Sequence, residues 1–270
     1  EQSPLDLQRG PLELERGPVF RATDEGRLLG HVHLGLRLIE ERASALVELR
    51  TTAMAGARFA WAAPVIVLLA GVEVFMGASS EAFDRLKEAH FLRDVGLPAI
   101  GSLDPVVWFG LFWLVGMLLN IAAVGSLIKR VERGGRQTVA YFLFGFTAIE
   151  LVAMLFFALT GSTWLAVAAL LGVFFCRNMQ GPLYNTWLNE QITESSVRAT
   201  VISLTGQANA IGQAGGGPVL GAVGNVWGIR AALTLGAAAI APALGLYARA
   251  IAHHGREPEL EELPAAAAVD

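Results

Sequence analysis

From Phe59 onward the chain is built of six long apolar runs separated by polar breaks, a pattern that excludes most folds open to a chain of this length. The runs are Phe59–Ser79, Val106–Leu127, Val139–Thr160, Trp164–Leu188, Ala199–Val223 and Trp227–Ile251. Each is close to the roughly 20 residues that carry an α-helix across the hydrocarbon core of a bilayer. In lipid, backbone N–H and C=O groups must be satisfied within a helix or a closed barrel. Barrel strands are shorter and alternate in polarity, whereas these runs are continuous. The expected fold is all-α, a polytopic bundle of six transmembrane helices over residues 59–251.

The same pattern accounts for an unusual composition, 54 % hydrophobic and 16 % charged. Soluble domains carry about a quarter charged residues. The charges gather at the ends and between the runs, so the formal net charge of −4 says little about partners. There is no basic excess of the kind that nucleic-acid binding requires. The one cysteine, Cys176, lies in an apolar run. It has no partner for an intrachain disulfide or a thiolate metal site, and reads as a small buried hydrophobe. No metal or cofactor is expected.

Ahead of the runs, residues 1–26 read as a disordered cytoplasmic tail or linker. PLDLQRG at Pro4–Gly10 is followed by PLELERG at Pro11–Gly17, and the Pro and Gly content opposes a packed element. Glu1–Gly17 lacks the layout of a signal peptide, and a start without Met leads us to expect a fragment. Residues 27–58 differ. Leu28, Val32, Leu36, Ile39, Ala43 and Leu46 recur at helical steps with charges elsewhere, which predicts an amphipathic cytoplasmic helix. Residues 252–270 read as a cytoplasmic tail.

Lys and Arg set the orientation. Lys129, Arg130, Arg133 and Arg136 crowd the connection between the second and third runs. Arg249 and Arg256 follow the last run, and Arg198 precedes the fifth. The opposite side carries only Arg85, Lys87, Arg93 and Arg230. Both termini are expected in the cytoplasm.

Three ionisable residues fall within the runs, Glu73, Glu150 and Arg177. Each costs at least a few kcal/mol at the bilayer centre when unpaired, so each is paired or functional. Gly77 and Ser80 share the helical face of Glu73, which we read as a cavity-facing carboxylate in preference to one snorkelling to the outer interface. Glu150 lies among Leu143, Phe146, Met154 and Phe157, surroundings that suit a neutral, protonated carboxyl. Gly181 and Tyr184 share the face of Arg177, for which a structural ion pair and a substrate role both stand.

The fifth run is richer in polar and small residues. At about 100° per residue, Ser203, Gln207, Ala210, Ala214, Gly217 and Gly221 form one stripe with Gln213 at its margin. Asn209 points about 120° away on the same arithmetic. Tight helix packing explains the small residues alone; the amides favour a pore- or cavity-lining face.

Gly217, Pro218 and Gly221 resemble the glycine–proline motif of major facilitator superfamily antiporters, G-x-x-x-G-P-x-x-G-G, with Gln213 and Ala222 replacing the outer glycines. The connection Gly125–Arg136, GSLIKRVERGGR, resembles that family's basic loop motif G-x-x-x-D-R-x-G-R-R. Gly125 and Arg130 match it in register, and Lys129 stands where the Asp would be. The lead-in Phe20–Arg58 resembles the family's central loop. Ser79–Pro98, Pro182–Ile192 and Arg198–Leu204 resemble second halves of bacterial drug-efflux-type members.

The resemblance implies the C-terminal half of a twelve-helix transporter in a bacterial inner membrane, missing its N-terminal six-helix half. It implies secondary transport of a small molecule, with protons exchanged in antiport. Glu73, Glu150, Arg177, Tyr184, Gln207 and Gln213 are the candidates for substrate binding or proton coupling. Gly217, Pro218 and Gly221 would serve packing and gating, and Gly125, Lys129, Arg130, Arg133 and Arg136 the cytoplasmic loop. The alternative is a membrane receptor or scaffold without transport. An intramembrane enzyme is disfavoured, because the histidines lie outside the runs and no run contains Asp.

Overall fold

The computed structural model describes residues 12–14, 20–22, 51, 54–98, 103–134 and 136–254. The expected amphipathic periodicity at 27–50 and the tail beyond His254 lie outside the described residues. The chain divides into two units, residues 1–54 and 55–270. In the first, within the segment read as a tail, β1 (Leu12–Leu14) and β2 (Phe20–Ala22) pair antiparallel. Their register is Leu12↔Ala22, Glu13↔Arg21 and Leu14↔Phe20.

The second unit is all-helical. A helical stretch at 54–62 leads into α1 (Pro64–His90), where Pro64 sits in the first turn and its missing N–H leaves no bond unmade. There follow α2 (Pro105–Gly134), α3 (Arg136–Leu159), α4 (Thr163–Gln191), α5 (Arg198–Trp227), α6 (Ile229–Ala238) and α7 (Ala241–His254). Among the described residues five segments are long and apolar enough to cross a membrane: Pro64–Val95, Pro105–Val131, Gln137–Leu159, Thr163–Gln191 and Ile229–His253. This is compatible with an integral membrane protein. The fifth expected span is the exception. α5 has 30 residues, ample length, but its Gly, Gln and Asn content keeps it out of that apolar set.

Several boundaries differ from the expectation. The first helix does not stop near Ser79. It continues to His90 and through a π-helical turn, Phe91–Val95, that ends at Gly96 with φ +86°. The charges beyond Ser79 are spaced for a helix surface, with Glu81–Arg85 and Asp84–Lys87 as ion pairs one turn apart. Ala82, Phe83 and Phe91 are buried on the other face. Asp84, His90 and Asp94 therefore belong to one candidate span and His253 to another, which corrects the expectation that the histidines lie outside the spans and that no span contains Asp.

The basic connection is likewise helical on both sides of residue 135. Gly125, Lys129, Arg130 and Arg133 lie in the last turns of α2, and Arg136 opens α3. Leu127 and Val131 pack on the core, and no Gly or Pro occurs between Gly125 and Gly134. The last expected span is two helices meeting at Ala239–Ile240, preceded by Gly228 at φ +88°.

The bundle is held chiefly by two close pairs, α1 with α5 and α3 with α4, with α6 and α7 packed against α1 and α3. α2 touches α4 along a single stripe, where Phe112, Gly116 and Asn120 are buried at four-residue steps. One core cluster centres on Trp187, stacked on Tyr247 at 6.0 Å, with Leu69 and Leu143 beside them. The other is aromatic. Phe91 meets Phe112 and Phe157 at 5.5 Å each, and Phe83 meets Phe157 at 5.4 Å edge to face.

Candidate functional site

The charged centre of the bundle is built on α4. Arg177, Gln180, Gly181 and Tyr184 fall at helical steps on one face of that helix. Arg177 Nε donates to Glu150 Oε1 on α3 at 2.7 Å, and Gln180 Nε2 donates to Glu150 Oε2 at 2.7 Å. Glu150 is wholly buried. Both of its oxygens accept, one from a guanidinium, so it is a paired carboxylate. This corrects the neutral carboxyl expected from its apolar neighbours on α3: its partners come from another helix. Arg177 Nη1 reaches Asp84 Oδ1 on α1 at 3.0 Å, and its Cζ lies 4.8 Å over the Phe83 ring. Arg177 therefore joins α1, α3 and α4, and Nη2 remains buried without a hydrogen-bond partner.

Glu73 has different surroundings. It is half-buried on α1, and Asn209 Nδ2 of α5 donates to its Oε2 at 2.7 Å. Gln213 Nε2 in turn donates to Asn209 Oδ1 at 2.7 Å. No cation pairs with Glu73 among the described residues. It lines a cavity of about 390 Å³ with Arg177, Gln180, Tyr184, Asn209 and Tyr247. Tyr184 is buried there and donates its hydroxyl to the Leu69 carbonyl at 3.2 Å.

The structure thus brings Glu73, Arg177 and Tyr184 to one cavity and attaches Gln213 to it through Asn209. It does not bring Gln207, which is exposed and donates to the Ser203 hydroxyl at 3.4 Å. The small and polar stripe of α5 faces out of the bundle, with Ser203, Gln207, Ala210, Ala214 and Gly221 exposed. Asn209, turned away from that stripe, for this reason points back at α1.

α1 and α5 approach through glycines. A Cβ on Gly77 would overlap the Asn209 carbonyl, one on Gly212 the Val74 carbonyl, and one on Gly216 would lie 2.8 Å from Ala78 Cα. The residues expected to pack are placed differently: Gly217 faces the Glu81 side chain and Gly221 faces open space. Pro218 is exposed inside the helix.

Sequence reasoning missed Asp84, Gln180 and Asn209. A usable signal existed for two of them. Asp84 lies three turns beyond Glu73, and Gln180 one turn beyond Arg177, each on its neighbour's face. A second cavity of about 630 Å³ opens on the other side of Arg177, lined by Asp84, Trp113, Met117, Asn120, Ile121 and Phe174.

Chemically, the site offers a carboxylate without a cation partner among the described residues, beside the Arg177–Glu150–Asp84 cluster, with amide and phenol donors around a cavity. It has hydrogen-bonding and charge for a ligand. Ser79, the buried hydroxyl on α1, faces the Met154 sulfur at 3.5 Å, which is no nucleophile–base pair. Among the described residues no group of three or more His, Cys, Asp or Glu is placed to hold a metal ion. Comparison with family models, curated proteins and solved structures finds no match to this chain.

Proposed function

We propose that the chain is a six-span half of a proton-coupled secondary transporter of small molecules, of the major facilitator type, working as an efflux antiporter. The observation that carries this reading is Glu73, a carboxylate without a cation partner among the described residues, facing a cavity walled by α1, α4, α5 and α7. A carboxylate placed between helices of a bilayer protein is a default candidate for a proton or substrate relay. Arg177 lines the same cavity while tied to Glu150 and Asp84. It ties α1 and α3 to α4 beside the cavity, and its buried Nη2 has no hydrogen-bond partner.

In this reading α5 is the sixth crossing. Its polar residues are tolerated because Asn209 and Gln213 are hydrogen-bonded and its outward stripe faces a second six-helix bundle, not lipid. Both termini are cytoplasmic by the distribution of Lys and Arg. The exposed faces of α2 and α5 are where the facing bundle docks, and the cavity closes between the two halves.

The test is transport in proteoliposomes with an imposed pH gradient, using this chain together with the six-helix half that completes the cavity and a panel of amphiphilic fluorescent substrates. Gradient-dependent flux that Glu73→Gln abolishes supports the reading. Flux unchanged by Glu73→Gln, or independent of the gradient, overturns it.

A further inference from the structure

We infer that Asn209 and Gln213 form a polarised amide relay that carries the protonation state of Glu73 across the α1–α5 seam to the exposed face of α5. The inference rests on Glu73 being the titrating carboxyl of the proposed function, and goes beyond it by assigning Gln213 a positioning role through Asn209.

The hydrogen bonds have a defined sense. An ionised carboxylate only accepts, so Asn209 must turn its NH2 group to Glu73, which leaves its carbonyl to face Gln213. Gln213 must then present its own NH2 group. The orientation of both amides therefore follows from the charge on Glu73. A proton added to Glu73 creates an O–H donor. Where that proton sits on Oε2, the oxygen that Asn209 contacts, the Asn209 carbonyl becomes the matching partner, and Gln213 has to reverse as well or lose its bond. No proton passes along the amides; what passes is the direction of donation.

The placement makes this more than a local contact. Glu73 and Asn209 line the 390 Å³ cavity, whereas Gln213 lines a separate one of about 320 Å³ with Glu81, Arg85, Gly217 and Pro218. Between them the helix backbones meet at Gly77, Gly212 and Gly216, where even a methyl group does not fit. The Asn209–Glu73 bond crosses this seam, and the Gln213–Asn209 bond extends it by one turn along α5. The titratable or charged groups around Glu73 are Arg177 and Tyr184 from α4 and Tyr247 from α7; on the Gln213 side they are Glu81 and Arg85 from α1. Arg177 is engaged by Glu150 and Asp84, and Arg85 by Glu81.

The experiment is a pH titration of the full chain in lipid nanodiscs, following the Glu73 carboxyl carbon and the side-chain NH2 groups of Asn209 and Gln213 by NMR. The expected result is one common midpoint for all three, with both amide transitions lost in Glu73→Gln. In Asn209→Leu, Glu73 still titrates and Gln213 does not. The companion variant Gln213→Leu alters an exposed position. There Asn209 follows Glu73 with its total shift reduced by about 10–30 %, because neighbouring hydrogen bonds polarise one another. Gln213 silent while Glu73 titrates, Gln213 titrating unchanged in Asn209→Leu, or an unchanged Asn209 shift in Gln213→Leu overturns the relay alone. A Glu73 carboxyl that does not titrate overturns the relay and the proton-coupled reading together.

Discussion

Arg177 Nε and Glu150 Oε1 lie 2.7 Å apart across the α3–α4 pair, with the carboxylate wholly buried and the guanidinium side chain 21 % exposed. Such a pair is costly to break and cheap to replace. Removing one partner strands a buried charge, at about 3–5 kcal/mol, whereas a well-packed apolar pair is close to neutral. Arg177→Met and Glu150→Leu should each lower stability by about 3 kcal/mol or more, and the double variant should recover most of the loss. Thermal or denaturant unfolding in detergent measures the cycle. Additive losses would remove the pair from the centre of the bundle.

Asp84 makes the second contact to the same guanidinium, at 3.0 Å, but its side chain is 55 % exposed. An ion pair with so wet a partner contributes about 0–1 kcal/mol. Asp84→Asn should therefore cost far less stability than Glu150→Gln in the same unfolding assay. Equal costs would mean that Asp84 is buried by something further, the facing bundle being the first candidate.

The α1–α5 seam makes a contrast among glycines. Gly77→Ala and Gly212→Ala force backbones apart, and overpacking of this kind costs about 1–3 kcal/mol or more. Gly221→Ala meets nothing within 4 Å and should be neutral or slightly stabilising, because Ala is the better helix former. Melting temperatures of the three variants check this ordering. It runs against the glycine–proline resemblance, which marks Gly221 and passes over Gly77.

What was legible in the sequence followed from length and period. Apolar runs of bilayer length gave the helices from Pro105 to Gln191 to within a few residues at most ends, since backbone in lipid is satisfied by a helix or a closed barrel and runs this continuous do not suit barrel strands. Where charges were read as loop the reading failed: at Glu81–Glu88 and at Lys129–Arg133 they decorate helices that simply continue. The candidate site was half legible. Glu73, Glu150 and Arg177 declared themselves as ionisable groups in apolar runs. Which of them pair is a matter of which helices adjoin, and no periodicity within one helix encodes that. Asn209 was missed for the same reason, its partner lying on α1.

The most direct test of the six-span bundle concerns α5, the long helix outside the apolar set. In a Cys176→Ser background, Ser195→Cys and Asn225→Cys place single thiols at exposed positions near its two ends. Intact cells are then treated with a membrane-impermeant maleimide, before and after permeabilisation. A sixth crossing with cytoplasmic termini requires Asn225→Cys to label from outside and Ser195→Cys to label only after permeabilisation. Labelling of both positions from the same side would contradict it, and with it the placing of Asn209 opposite Glu73 within the bilayer.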